Sequence, residues 1–147
     1  MSAIGIETVA GILVTVAGGE FTPLSCYVGL QVSEGGGIEL EQPSGTLGCE
    51  YDIERLRVFF EHHSSPMDGG DNPGFNHAGV KYLFPVDRFT AYLGASYEFS
   101  GTHTTLDNPL VIAGIESQGD VRFYAEHINS MLNPSEGETS VGVKFVF

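Results

Sequence analysis

Tryptophan is absent, cysteine occurs only twice, and basic side chains are scarce: 6 Lys and Arg stand against 19 Asp and Glu, a formal net charge of −13 over 147 residues. A surface built to neutralise phosphates needs clustered Lys and Arg. Only Arg55 and Arg57 come close together, and no basic side chain precedes Arg55, so no nucleic-acid partner is expected. Long apolar runs are missing too. The stretch 11–19 (GILVTVAGG) falls far short of the roughly 20 residues a membrane-crossing helix needs. Residues 1–10 offer only Glu7 where a secretory leader carries positive charge, so no signal peptide is expected. No window carries an apolar stripe at helical spacing. A phosphate-cradling Gly loop, a nucleotide fingerprint and a Cys-based redox pair are all lacking, so no cofactor is expected.

What is present is 41% hydrophobic residues leaning towards Val, Phe and Tyr, with 20 Gly. That is enough to fill one core, and the length suits a single domain, 1–147. Period-two alternation, the mark of strands, recurs along most of the chain. Over 89–99, Phe89, Ala91, Leu93, Ala95, Tyr97 and Phe99 share one face, while Thr90, Tyr92, Gly94, Ser96 and Glu98 share the other. Strands are likewise expected over 4–16, 24–33, 51–63, 75–84, 121–128 and 140–147, and more weakly over 110–116. Cys26 and Cys49 lie symmetrically about the glycines at 35–37, so a hairpin there makes them cross-strand neighbours. The simpler expectation is two small buried apolar residues. A disulfide needs an oxidising compartment.

An internal repeat is the most specific feature. Residues 57–65 (RVFFEHHSS) align without gaps on 122–130 (RFYAEHINS), and 79–84 (GVKYLF) align on 142–147 (GVKFVF). The repeated units, about 51–84 and 116–147, each read as strand, long loop, strand. A hairpin used twice suggests a meander closing on itself, so the expected fold is all-β: one closed antiparallel up-and-down barrel of about eight strands, which leaves no open edge. In the repeat, Arg57 and Glu61 share a face, as do Arg122 and Glu126, with Lys81 and Lys144 on the polar faces of their strands. A soluble barrel turns such a face outwards and a small membrane barrel turns it inwards. Alternating Val and Phe ending at Phe147 resembles the closing strand of bacterial outer-membrane barrels, which favours the inverted arrangement.

The chemistry-bearing segment is Glu61-His62-His63-Ser64-Ser65. On a strand His62 and Ser64 project on the same face, and a His within reach of a Ser hydroxyl can act as its general base. The segment resembles lipid A 3-O-deacylases, eight-stranded outer-membrane barrels that cut an ester-linked acyl chain. Their signature is His-x-Ser-Asn followed about a dozen residues later by a Glu that orients the His. The resemblance covers roughly 57–84 and implies His62 as base and Ser64 as nucleophile. Ser65 stands in the Asn position, and the region around Asn76 and His77 has no carboxylate. In the second copy Glu126-His127-Ile128-Asn129 puts Asn129 where Ser64 stands. A motif kept twice, once without its nucleophile, reads as a structural signature of the hairpin, carried by Arg57, Glu61, Arg122, Glu126 and His127.

Segment 64–77 also resembles small barrel proteins encoded by bacteriophages, in Glu61, His62, Ser64, Ser65, Pro66, Asp68, Asp71, Gly74 and Asn76. That resemblance implies a virion component. Asp68, Asp71 and Asn72 do not meet the alternation of a calcium loop. His62, His63 and His77 have no diagnostic metal-ligand spacing, so no metal is expected. The expected function is a non-enzymatic structural or interaction barrel of a virion, contacting other virion subunits or copies of itself through its loops. The alternative is an outer-membrane esterase of the deacylase type, with membrane lipid as its partner.

Overall fold

A computed structural model of the chain describes residues 24–35, 43–64, 75–101, 108–135 and 137–147. Its eight strands are β1 (Ser25–Gly35), β2 (Ser44–Ile53), β3 (Leu56–His63), β4 (Phe75–Val86), β5 (Phe89–Gly101), β6 (Leu110–Ser117), β7 (Val121–Ser130) and β8 (Gly137–Val146). Each pairs antiparallel with the next, and β8 pairs with β1 to close the barrel. The expected fold class is therefore the observed one. The membership of the strands differs from expectation. The strand expected over 4–16 and the apolar stretch 11–19 lie outside the described residues, as does loop segment 65–74. The run 51–63 is not one strand: it contains the end of β2, a turn at Glu54 and Arg55, and then β3. Glu54 (φ 56°) and Asp87 (φ 55°) carry the left-handed backbone of two of the tight hairpin turns. Neither turn offers Gly or Asn at that position, so the usual sequence signal for such a turn was missing.

The two ends of the barrel are unlike. Glu54 and Arg55, Asp87 and Arg88, and residues 118–120 make tight turns at one end, where Cys26 and Phe147 also meet. The four connections at the other end are longer, 36–43, 64–74, 102–109 and 131–136.

Eight strands enclose just enough room for side chains, so the alternation decides what fills that room. The charged and polar side chains face in: Glu50, Arg57, Glu61, His63, His77, Lys81, Glu116, Glu126 and Lys144 are all nearly inaccessible. Val28, Leu30, Leu47, Val58, Phe60, Val80, Leu93, Tyr97, Phe99, Ile115, Phe123, Val141 and Phe145 face out and are exposed. This is the inverted pattern.

Glycines let the lumen close around its long side chains. A Cβ on Gly48 would stand 2.5 Å from the Tyr27 Oη and one on Gly142 2.7 Å from the Tyr124 Oη, and one on Gly114 would overlap the Tyr92 Oη. At Gly79 the obstacle is backbone, because a Cβ there would overlap the Ala95 carbonyl oxygen.

Cys26 and Cys49 are register partners across β1 and β2, as the hairpin symmetry suggested, but they form a disulfide. The simpler expectation of two small apolar residues is corrected. Their register neighbours Tyr27 and Gly48 face the lumen, so the two sulfurs meet on the outer face, where a half-exposed pair has little core to join.

Gly79→Ala should cost about 3 kcal/mol or more, because a rigid strand must give way. Urea unfolding of the detergent-folded chain checks this; a midpoint unchanged from wild type would contradict the packing described.

Candidate functional site

The lumen is stacked in layers. Nearest the tight turns, Arg57 donates to Asp52 (Nε–Oδ1 2.7 Å) and to Glu116 (Nη1–Oε1 2.6 Å), with a Glu50 oxygen 3.3 Å from Nη1. Arg122 donates to Glu50 and lies 3.5 Å from Glu116. Side chains from β2, β3, β6 and β7 thus form one ring of alternating charge. In the central layer, the Lys81 ammonium lies 4.4 Å from the Phe59 ring centre and 4.5 Å from that of Tyr92, and donates to Glu126 at 3.3 Å. Tyr92 donates to the same Glu126 oxygen at 2.6 Å. The Lys144 ammonium lies 4.5 Å from Tyr27 and 4.6 Å from Tyr124, and 3.6 Å from Glu61 Oε2, which also accepts from the Tyr27 hydroxyl.

This layer repeats by halves. Tyr92, Tyr124 and Glu126 follow Tyr27, Phe59 and Glu61 at the offset of the first repeat block, and Lys144 follows Lys81 at that of the second. Strands β1–β4 are therefore matched by β5–β8. Each lysine contacts the glutamate of the other half, and Arg57 and Arg122 likewise reach Glu116 and Glu50. Arg57 and Glu61 share the lumen without pairing to each other. Their spacing along one strand separates them by roughly 13 Å, so each finds other partners, among them one from the opposite half of the barrel, and the same holds for Arg122 and Glu126.

Nearest the long connections the halves part company. One side is apolar, with Leu110, Ile112 and Ile128 packed beside Phe59, Leu83 and Tyr92. On the other, Glu61 and His63 from β3 meet His77 from β4, the register partner of Glu61. His63 Nε2 lies 2.6 Å from Glu61 Oε1, His77 Nε2 lies 3.4 Å from that oxygen, and the two ring nitrogens are 3.2 Å apart. Gln31 Nε2 is 3.0 Å from His63 Nδ1, and Ser96 Oγ is 3.0 Å from His77 Nδ1. All three residues are at most 4% exposed. Two nitrogens and one carboxylate oxygen that converge so closely can share a proton or hold a cation.

The residues suggested as catalytic lie elsewhere. His62 and its repeat mate His127 point outwards at the long-connection end. His62 Nδ1 contacts Asn76 Oδ1 at 2.7 Å, and His127 Nδ1 contacts Thr139 Oγ1 at 2.8 Å. Ser64 Oγ accepts from the Gly45 N–H at 2.8 Å and donates to the Gly45 carbonyl at 3.1 Å. Asn76 therefore occupies the place downstream of His62 where the deacylase pattern has its orienting Glu. Sequence reading missed the inward convergence of His63 and His77, and the contributions of Tyr27, Tyr92, Glu50 and Glu116. A signal for the second group existed: Tyr27-Val28-Gly29 and Tyr92-Leu93-Gly94 share the offset that relates Glu61 to Glu126.

No protein-family model matches the chain, and no curated protein does. Among solved structures, a protein reported under de novo design of transmembrane β-barrels superposes with a TM-score of 0.58 at 15% identity, over 84% of this chain and 94% of that one. Neisserial surface protein A aligns over the same shares at 12% identity with a TM-score of 0.47. The fold is the closed eight-stranded antiparallel barrel that the designed transmembrane barrel also adopts.

Breaking one lumen pair leaves an uncompensated buried charge. Lys81→Met should destabilise by about 3–5 kcal/mol, and adding Glu126→Gln should recover much of that loss. A double-mutant cycle by urea unfolding measures this, and strictly additive losses would show that the pair is not coupled.

Proposed function

We propose that the chain is an integral membrane barrel of the outer-membrane type that acts by presenting its long-connection end, and not through transport or catalysis. The observation that carries this reading is the inverted alternation. A soluble monomer does not expose so many contiguous Val, Leu, Ile and Phe side chains, and lipid is the solvent that suits them. The band has the right height. Phe84, Phe89, Phe123, Phe145 and Phe147 gather towards the tight turns, and Phe60, Tyr97 and Phe99 towards the other end. The run from Phe89 to Phe99, at about 3.4 Å per residue and a tilt of roughly 40°, rises about 26 Å, close to the ~25 Å apolar band of outer-membrane barrels. Short turns at one end and longer connections at the other also follow that class. A packed lumen of paired charges leaves interaction at the long-connection end as the role that fits. A virion placement draws no support from the matched structures, and an outer face this apolar suits lipid better than a solvated subunit.

The chain should therefore fold from urea only when detergent micelles or phospholipid vesicles are added, and unboiled samples should migrate differently from boiled ones on denaturing gels. A monodisperse β-rich species in plain buffer would overturn the membrane reading; if that species were an oligomer, copies of the chain would be covering the band.

A second reading, the lipid A esterase, is favoured by one observation, the His62–Asn76 contact, in which the Asn stands where the deacylases place their orienting Glu. The same contact recurs between His127 and Thr139, in the copy with Asn129 in place of Ser64, so the contact alone is explained by hairpin structure. The refolded barrel should release no acyl chain from lipid A. Ser64→Ala should cost about 0.5–1.5 kcal/mol through its two Gly45 hydrogen bonds. Acyl release that disappears in Ser64→Ala while the barrel stays folded would move the assignment to the esterase.

A further inference from the structure

We propose that Glu61, His63 and His77 form a binding site for one zinc-type divalent cation inside the barrel. The argument begins with where the duplication fails. In the second half Ile128 stands in the place of His63 and Ser140 in that of His77. Glu126 there is satisfied by Lys81 and Tyr92. A glutamate in this position therefore needs no histidines to hold the barrel together, and the first half has two, both buried.

Their geometry is that of a ligand set. Glu61 divides its duties: Oε2 takes the Tyr27 hydroxyl and the Lys144 ammonium, while Oε1 turns towards the two rings. The three facing atoms are separated by 2.6, 3.2 and 3.4 Å. Ligands about 2.0–2.1 Å from a tetrahedral ion stand roughly 3.3 Å from one another. One ion just off the plane of these three atoms therefore reaches them all with small side-chain shifts, and a fourth position remains for water. The donor set of two imidazoles and one carboxylate selects a transition-type cation over calcium or magnesium, which take oxygen ligands. The outer partners suit this use. A His that binds metal through Nε2 donates its Nδ1–H to a neighbour, and Ser96 Oγ stands 3.0 Å from His77 Nδ1. The Gln31 side chain stands at the same distance from His63 Nδ1; turning its amide presents the oxygen there and leaves the Tyr124 hydroxyl, which donates to that oxygen at 2.6 Å, to accept from Nε2 instead. Gln31 and Ser96 are themselves repeat mates, related by the same offset as Glu61 and Glu126, each set against one of the two rings. Glu61 and His77 are register partners and His63 is the next inward residue along β3, so the strand ladder holds all three close before any ion arrives.

The test uses the full chain folded in detergent micelles, stripped with a chelator and titrated with Zn²⁺ against a chromophoric competitor, with Co²⁺ as a spectroscopic probe. One ion per chain is expected, with intense tetrahedral-type Co²⁺ absorption. His63→Ala and His77→Ala should each weaken binding about 100-fold or more, whereas His62→Ala and His127→Ala, on the outer face, should leave it unchanged. Ser96→Ala retains all three ligands and should weaken binding about 10-fold, which keeps the test decisive if a histidine variant fails to fold. Circular dichroism and heat-shifted gel migration report folding separately from binding. Absence of stoichiometric binding to the folded wild-type barrel, or binding indifferent to His63, His77 and Ser96, overturns the proposal.

Discussion

The buried lysine–glutamate contacts of the lumen are the constraint on which the rest of the molecule depends. An eight-stranded barrel leaves a core only a side chain or two across, and this chain fills it with ions. Taking a charge out of water costs several kcal/mol per ion, so each must find a partner with good geometry. Lys81 and Lys144 meet the demand in the same way: each ammonium lies between two aromatic rings and against one glutamate that also accepts from a tyrosine hydroxyl. The glycines follow from this. Tyr27, Tyr92 and Tyr124 reach across the lumen only because Gly48, Gly114 and Gly142 leave bare backbone beneath their hydroxyls. Because each lysine contacts the glutamate of the other half, neither half of the barrel satisfies its own lysine. Closure of β8 on β1 is thereby built into the electrostatics as well as the hydrogen-bond ladder.

The same arrangement fixes the outer face. Period two leaves no third side, so a strand that sends Lys, Glu and Tyr inwards must send its Val, Leu and Phe outwards. The apolar band and the charged lumen are one pattern seen from two sides. Its physical sense is complete only when the surroundings are apolar, since the hydrophobic effect then rewards nothing for turning the strands over.

Much of this was legible in the sequence. Alternation over 89–99 and 140–147 gave strands with the right residues sharing each face, and the repeated Arg, Glu, His and Lys positions gave a duplicated hairpin and hence a closed barrel. Alternation is symmetric under exchange of inside and outside, which is why composition alone left the solvated face open. The turn at Glu54 was hidden for a local reason. A charged residue in the left-handed region carries no Gly or Asn signal, so the end of β2 and the whole of β3 read as a single strand over 51–63. The reach of the repeat was hidden because its first half shares spacing more than letters: Tyr27 with Tyr92, Gly48 with Gly114 and Glu50 with Glu116 stand among dissimilar outward residues. His63 and His77 stood with His62 among residues weighed as metal ligands, but no spacing could single out the pair, because they come from two strands joined by the long connection 64–74 and only the β3–β4 register brings them together.

Duplication supplies its own control on what each residue is for. Features present in both halves, such as the Tyr–Glu–Lys clamps, the arginine ring and the outward contacts His62–Asn76 and His127–Thr139, are accounted for by the needs of a barrel. A feature found in one half alone has no such account, since the other half stands without it. By that criterion the outward His62 is the less distinctive of the adjacent histidines, although its neighbour Ser64 first drew attention to it. His63 corresponds to Ile128 under the pseudo-symmetry, where an apolar side chain serves the lumen adequately beside Leu110 and Ile112. Putting two imidazoles against a carboxylate where the other half has an isoleucine and a serine buries more polar atoms for no gain in closure. The asymmetry therefore marks the Glu61 layer as the part of this barrel shaped by something other than folding.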